Sequence, residues 1–354
     1  MDITEMLRKA QESGASDIFI IAGLPLSYKV NGVLKELSET NLLPADTQDI
    51  IEQIYVLAGN RDISHFEEHG DDDFSFAVPG MSRFRVSTYK QRGSMAAVVR
   101  VIAFSLPHPY ELGISENIIR LVDANKGLIL VTGPAGSGKS TTLACMVDHI
   151  NSTRENHIIT LEDPLEFLHK HKKSIVSQRE ISTDTDSYIV ALRAALRQSP
   201  DVILLGEMRD YETIQTAMTA AETGHLVLSS LHTIGAANTI DRIIDVFPPN
   251  QQRQITVQLA MVLNAVVSQQ LVPATDGTLI PAFEVMTLTP AIRNMIRDGK
   301  LHQIDGVIYS SASADMIAMD TSLLNLVRQN RITKLTAVKY ASNPEMLEKK
   351  LKMI

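Results

Sequence analysis

Eight residues, Gly133-Pro134-Ala135-Gly136-Ser137-Gly138-Lys139-Ser140, follow the apolar run Gly127–Thr132 and precede the helix-forming stretch Thr141–Ile150. They match the pattern G-x-x-x-x-G-K-[ST] at every fixed position, and they do so in the strand-to-helix turn that gives the pattern meaning. Glycines lack a Cβ, so the backbone can curl there and aim its N–H groups at phosphate oxygens. The helix N-terminus that follows adds partial positive charge. Lys139 is expected to reach the β- and γ-phosphates and the Ser140 hydroxyl to ligate Mg²⁺, with Thr141 next to them in the first helical turn. The chain is therefore expected to bind a nucleoside triphosphate.

The rest of the chain has to supply a sheet for that turn. At 354 residues there is room for two domains of about 100–200 residues each. An apolar content of 44% can fill their cores. The net charge of −8 argues against a dedicated nucleic-acid binder. A single cysteine, Cys145, excludes a disulfide framework and a cysteine-based zinc site, and reads as a small core residue. No run approaches the ~18 consecutive apolar residues of a membrane span, and the N-terminus has no signal-peptide pattern. A cytoplasmic location is expected, with membrane association only through a partner and no insertion.

Residues 1–104 read as a small α+β domain. Asp2–Ser13 is helical, and strand-like runs follow at Ile18–Ala22, Ser27–Val30 and Val33–Leu37, the last two joined by the hairpin signal Asn31-Gly32. Helices near Ala45–Ala58 and Arg61–His69 come next, then strands Arg83–Lys90 and Met95–Ile102. The prolines of Ser105–Gly113 prevent regular structure, which places a linker there, with Pro107–Pro109 as a hinge. From Ile114 apolar strands alternate with helices, implying a mostly parallel, helix-covered sheet of Gly127–Thr132, His157–Leu161, Val202–Leu205 and His225–Ser230. Beyond about Pro248 the pattern is mainly helical, with a strand near Leu279–Val285.

Two acidic strand ends suggest the chemistry. Asp201–Leu205 leads through Gly206 into Glu207. In a nucleotide-hydrolysing sheet such a strand usually carries an Asp that ligates Mg²⁺ directly before its Glu. Gly206 occupies that place, so other groups must hold the metal, and Glu207 is placed to orient or deprotonate the attacking water. In Ile158–Phe167, Pro164 stops the strand and leaves Glu162 and Asp163 at its edge, where open α/β sheets bind ligands. Glu162 is assigned to Mg²⁺ or its waters; Asp163 and Glu166 serve equally well as solvated loop carboxylates. His225 and His232 bracket the fourth strand, ~23 Å apart when extended, so they do not make a metal pair. A neutral His232 imidazole could hydrogen-bond the γ-phosphate or Glu207, or be a satisfied structural residue.

The phosphate loop, Glu162-Asp163-Pro164, Gly206-Glu207-Met208-Arg209-Asp210 and the His225…His232 pair stand in the order found in the secretion-ATPase superfamily. Within it the chain resembles the type IV pilus retraction ATPases. Gly14-Ala15-Ser16-Asp17 and Gly23-Leu24-Pro25 match the family's PAS-like domain, and Arg242–Pro248 matches its core. Ala291–Arg297 with Gly299-Lys300 resembles the helix of retraction motors. The resemblance implies a RecA-like P-loop ATPase core, a PAS-like N-terminal α+β domain and a helical C-terminal part. It also implies a homo-hexameric, Mg-ATP-driven motor for pilus retraction and twitching motility, acting through an inner-membrane platform protein and indirectly on the pilin filament. Arg83, Arg85 and Arg100 match arginines that face a neighbouring subunit's nucleotide, although arginines on exposed strands also protect sheet edges. Arg100 and His225 join the loop in the set expected to bind the cofactor ATP. A secretion or DNA-uptake ATPase, or a non-hydrolysing regulatory subunit, is the alternative reading.

Overall fold

The computed structural model describes residues 2–30, 32–102, 106–313 and 315–353. The chain divides into two units, Met1–Ser105 with Glu166–Leu168, and Leu106–Leu165 with His169–Ile354. Between the strands of the first and the second unit, 106–113 contains turns but no helix or strand; Ser105 lies outside the described residues.

In the first unit the Asp2 carboxylate accepts from Thr4 N and caps the helix Ile3–Glu12. The strands are β1 (Asp17–Ile20), β2 (Pro25–Val30), β3 (Val33–Asn41), β4 (Asp71–Val78), β5 (Ser82–Gln91) and β6 (Ser94–Ile102). They form one sheet in the order β3-β2-β1-β6-β5-β4 with antiparallel neighbours. Val30 pairs with Val33 across the hairpin, although Asn31 itself lies outside the described residues. Strand alternation gives the sheet two faces. One packs Ile18, Ile20, Val86 and Val99 against Met6 and Leu7 of the first helix and Ile51 and Ile54 of the helix Pro44–Leu57. The opposite face carries Asp17, Arg83, Arg85 and Arg100. Strand β4 is not anticipated by the sequence. Its opening Asp71-Asp72-Asp73 disfavours a strand, yet Asp72, Phe74 and Phe76 alternate inward and are buried.

The second unit holds β7 (Gly127–Thr132), β8 (His157–Glu162), β9 (Ile175–Glu180), β10 (Val202–Leu205), β11 (Leu226–Leu231), β12 (Leu263–Pro273) and β13 (Leu279–Thr287). Their order is β13-β12-β7-β11-β10-β8-β9, parallel throughout except for β13. Every residue of β7, β10 and β11 is buried, which suits their apolar runs Leu128–Val131, Val202–Leu205 and Leu226–Leu228. Separate apolar cores line the sheet's two faces, one built on Leu128, Leu130 and Ile203, the other on Ile129, Val131 and Leu204.

Helical pattern beyond Pro248 is only part of what the structure contains. The helix Pro249–Val262 runs straight into β12 at Leu263, without a Gly or Pro to mark the change. Buried on both faces, β12 shows no alternation that would separate it from helix. Helices Met319–Arg328, Lys334–Tyr340 and Pro344–Leu351 then pack on β12 and β13 through Val272, Ile280, Leu323 and Leu347. The helix expected at Ala291–Arg297 spans Pro290–Arg297, capped by Thr289, with Ile292 and Ile296 fully buried and Arg293 Nε donating to Ala260 O at 3.1 Å.

Candidate functional site

The phosphate-loop pattern lies at the C-terminal edge of the parallel sheet, between β7 and the helix Lys139–Thr153. Thr132, the last residue of β7, pairs with Leu231 of β11 and Ser268 of β12. Gly133 has φ 144°, and a Cβ there would stand 2.1 Å from Gln269 O and 2.8 Å from Ser137 Oγ. Gly138 has φ 87°, and its Cβ would meet Gln269 Nε2 at 2.8 Å. Both glycines are therefore demanded by one residue of β12 as well as by their backbone angles. The Gln269 side chain is itself held, since Thr142 Oγ1 donates to its Oε1 at 2.7 Å.

Pro134, Ala135 and Gly136 form the exposed crest of the loop. Below them Lys139 is 8% exposed, with its ammonium donating to Gly133 O at 2.9 Å and Pro134 O at 3.0 Å. Ser137 Oγ is buried and has no hydrogen-bond partner among the described residues. Ser140 and Thr141 are half-buried in the first helical turn. A buried cation, an unsatisfied buried hydroxyl and the N–H groups of a helix start together suit an anion.

Glu207 stands just past β10 on the same edge, and its turn is fastened to β11. Ser230 Oγ donates to Gly206 O at 2.6 Å, and Met208 N donates to Ser230 O at 3.3 Å. His232 lies just beyond β11, and its Nε2 comes within 3.2 Å of Glu207 Oε1. Arg209 Nη2 lies 2.8 Å from Glu207 Oε2. Burial by itself would raise the Glu207 carboxyl; the Arg209 hydrogen bond and the His232 and Arg209 charges outweigh it and hold the group below its usual range. Glu162 ends β8, the neighbour of β10, with Gln178 Nε2 at 3.5 Å from its Oε1. Tyr188 occupies the space between these acids. Burial, then Asp163, Glu162 and Glu207, push its phenol upward. Its Oη lies 2.9 Å from where a Cβ on Gly206 would be. The place usually held by an Asp is thus filled from the side.

Of the residues singled out in the sequence, the second unit brings the loop, Glu162, Glu207 and His232 to one edge of one sheet. His225 does not belong with them. It precedes β11, at the level of the start of β7, so a strand of six residues, about 20 Å, separates it from the loop edge. Its Nδ1 lies 3.0 Å from Ala220 O, which makes it a turn residue and removes it from this chain's own phosphate loop. In the first unit Arg85 pairs directly with Arg100 across β5 and β6, while Arg83 pairs with Ile102. Arg100 in turn pairs with Asp17, whose Oδ1 accepts from its Nε at 2.9 Å. That contact offsets two like charges placed opposite each other.

Gln269 and Tyr188 escape a sequence reading of the site, and Arg209, although within the Gly206–Asp210 match, is given no role there. Two consecutive glutamines inside the apolar run Leu263–Val272 are an anomaly that marks Gln269. Tyr188 leaves no such signal, because only tertiary packing carries it to Gly206.

Sheet order, loop and strand-end acids define the class: an α/β P-loop nucleotide-binding protein. The description of the type II/IV secretion system protein family matches residues 1–344. The chain is 45% identical over 345 residues to the type IV pilus retraction ATPase PilT of Pseudomonas aeruginosa, covering 98% of this chain and 99% of that one. It is 40% identical over 346 residues to a twitching motility protein of Neisseria gonorrhoeae, covering 98% and 92%. The crystal structure of the pilus retraction motor PilT with bound ADP superposes with a TM-score of 0.90 at 45% identity and 99% coverage of each chain. The chain belongs to the type II/IV secretion system protein family. Among the described residues no helix is long and apolar enough to cross a membrane.

Proposed function

We propose that this chain is an ATPase that powers type IV pilus retraction, with Glu207 directing water at the γ-phosphate. The observation that carries the reading is the Glu207 carboxylate, held ionised by Arg209 and His232 on the edge where the phosphate loop ends. A carboxyl depressed in this way is a weak base, so it orients the attacking water better than it removes a proton. Lys139 and the loop N–H groups would bind the β- and γ-phosphates. Identity to PilT along nearly the whole chain supports retraction as the work performed.

Ser140 and Glu162 would hold Mg²⁺ together with the nucleotide's own phosphates. Among the described residues no group of three or more His, Cys, Asp or Glu is arranged to hold a metal ion. Mg²⁺ usually keeps several waters and takes one or two protein oxygens beside the substrate phosphates. When bound, the metal would neutralise charge on the β- and γ-phosphates. Arg83, Arg85 and Arg100, together on one face of the first unit, would reach the nucleotide of a neighbouring copy in a homo-hexamer. Such a ring would work at the inner face of the membrane through a platform protein.

Glu207→Gln tests the reading. Mg-ATP turnover should fall by about 10²–10⁴-fold while ADP affinity stays near that of the unaltered chain. Pili in a retraction-deficient strain should remain extended when this variant replaces the chain. Turnover equal to that of the unaltered chain would remove Glu207 from the mechanism. Turnover that stays constant per subunit through dissociation of the ring would remove the shared site.

A further inference from the structure

A buried primary amide needs a reason. Gln269 is 3% exposed on β12, one residue past Ser268, the partner of Thr132 at the loop edge, where an unbonded amide costs about 1–3 kcal/mol. Its backbone oxygen lies beneath Gly133, and its side-chain nitrogen lies against Gly138, the first and last glycines of the phosphate loop. Its side-chain oxygen accepts from Thr142, one turn into the helix that the loop feeds. The loop is thus gripped at its start, its end and its helix by one residue of a neighbouring strand. The loop's positive φ angles at Gly133, Gly136 and Gly138 are easily lost to other conformations, because glycine is the residue with most freedom to lose.

We propose that Gln269 is a positioning residue of the nucleotide site. It touches no substrate; through Thr142 it holds the first turn of the helix in register with β7 and so keeps the loop's N–H groups converged on one point. Ser268 beside it is occupied elsewhere, its Oγ accepting from Gly235 N at 2.9 Å, and Gln270 Nε2 reaches Tyr340 O at 3.4 Å. Of these three consecutive polar residues, Gln269 is the one that faces the loop. This inference rests on the nucleotide-binding reading above and adds to it a residue outside the phosphate-loop pattern.

The test uses the full chain as wild type, Gln269→Met, Thr142→Val and the double variant. MgADP affinity, KM and kcat for ATP, and thermal stability are measured on each. Each single variant should weaken MgADP by about five- to tenfold and raise KM more than it lowers kcat. The double variant should be no weaker than the worse single one, because both substitutions break the same bond. Variants that melt earlier yet bind MgADP within about twofold of wild type would make the contact merely structural and overturn the proposal. Single effects that multiply in the double variant would overturn it too. Should Gln269→Met fail to fold, Thr142→Val decides alone, since it deletes the same bond at nearly constant volume. Wild type that binds no MgADP would overturn the nucleotide reading, and this inference with it.

Discussion

Replacing Gly206 by Ala adds one methyl group at the point where β10 hands over to Glu207. Its Cβ would lie 2.9 Å from Tyr188 Oη, 3.3 Å from Leu161 O and 3.4 Å from Glu162 Cα. Contacts to a Cβ are ordinary from 3.4 Å, so the phenol must retreat by about 0.5 Å and the Leu161 carbonyl by about a tenth. Tyr188 is half-buried with Asp163, Glu162 and Glu207 acting on its phenol, so the ring is displaced within a packed surrounding. Overpacking of this kind costs about 1–3 kcal/mol. For a unit of this size each kcal/mol lowers the melting temperature by roughly 2–4 °C. Thermal unfolding and saturated Mg-ATP turnover should be compared for Gly206→Ala, Tyr188→Phe and the pair. The phenylalanine deletes the clashing oxygen and keeps the ring, so the pair should be more stable than the sum of the single changes by about 1 kcal/mol. If Gly206→Ala melts with wild type, or if Tyr188→Phe brings no recovery, the idea that packing excludes a side chain at 206 is wrong.

Two titrating groups give opposite pH signatures. The folded-state pKa of Glu207 is depressed, so the stabilisation it contributes is present above the ordinary carboxylate value and is lost as pH falls through the folded value. Arg209→Ala removes the stronger of its partners, and the acid limb of the pH–rate profile should move to higher pH; an unmoved limb would mean that another group sets it. Glu284 is raised instead, by burial first, even though Ala236 N donates to its Oε1 at 2.9 Å and opposes the rise. Its charge therefore destabilises the fold as pH rises past the ordinary value, and Glu284→Gln keeps an acceptor for Ala236 while removing that charge. The melting temperature of Glu284→Gln relative to wild type should climb with pH, and a difference independent of pH would refute the assignment.

How much of this was legible beforehand depended on whether the deciding contacts were local. The loop, the buried runs Leu128–Val131 and Val202–Leu205 and the acids that follow them are set by neighbours in sequence, so pattern alone finds them. Strand β12 was not legible, because a strand buried on both faces and entered directly from a helix carries no period of its own. With β12 went Gln269, the residue that explains two of the loop's glycines. His225 is the opposite case, a residue placed correctly at the start of its strand but assigned to the wrong end of the sheet. Its spacing puts it at the other end of the strand from His232, but only the parallel register of β11 with β7 shows which of the two ends carries the phosphate loop.

The strand order also accounts for the way His232 and Glu207 meet. Strand β11 lies between β7, which carries the phosphate loop, and β10, which carries Glu207. A residue just past β11 therefore stands between the loop edge and the acid, and His232 is that residue. The clamp of Ser230 on Gly206 O and Met208 N fixes how far the Glu207 turn can move from β11. The loop is held on its other side by β12, through Gln269, so both flanks of the site are fixed by strands that neighbour β7.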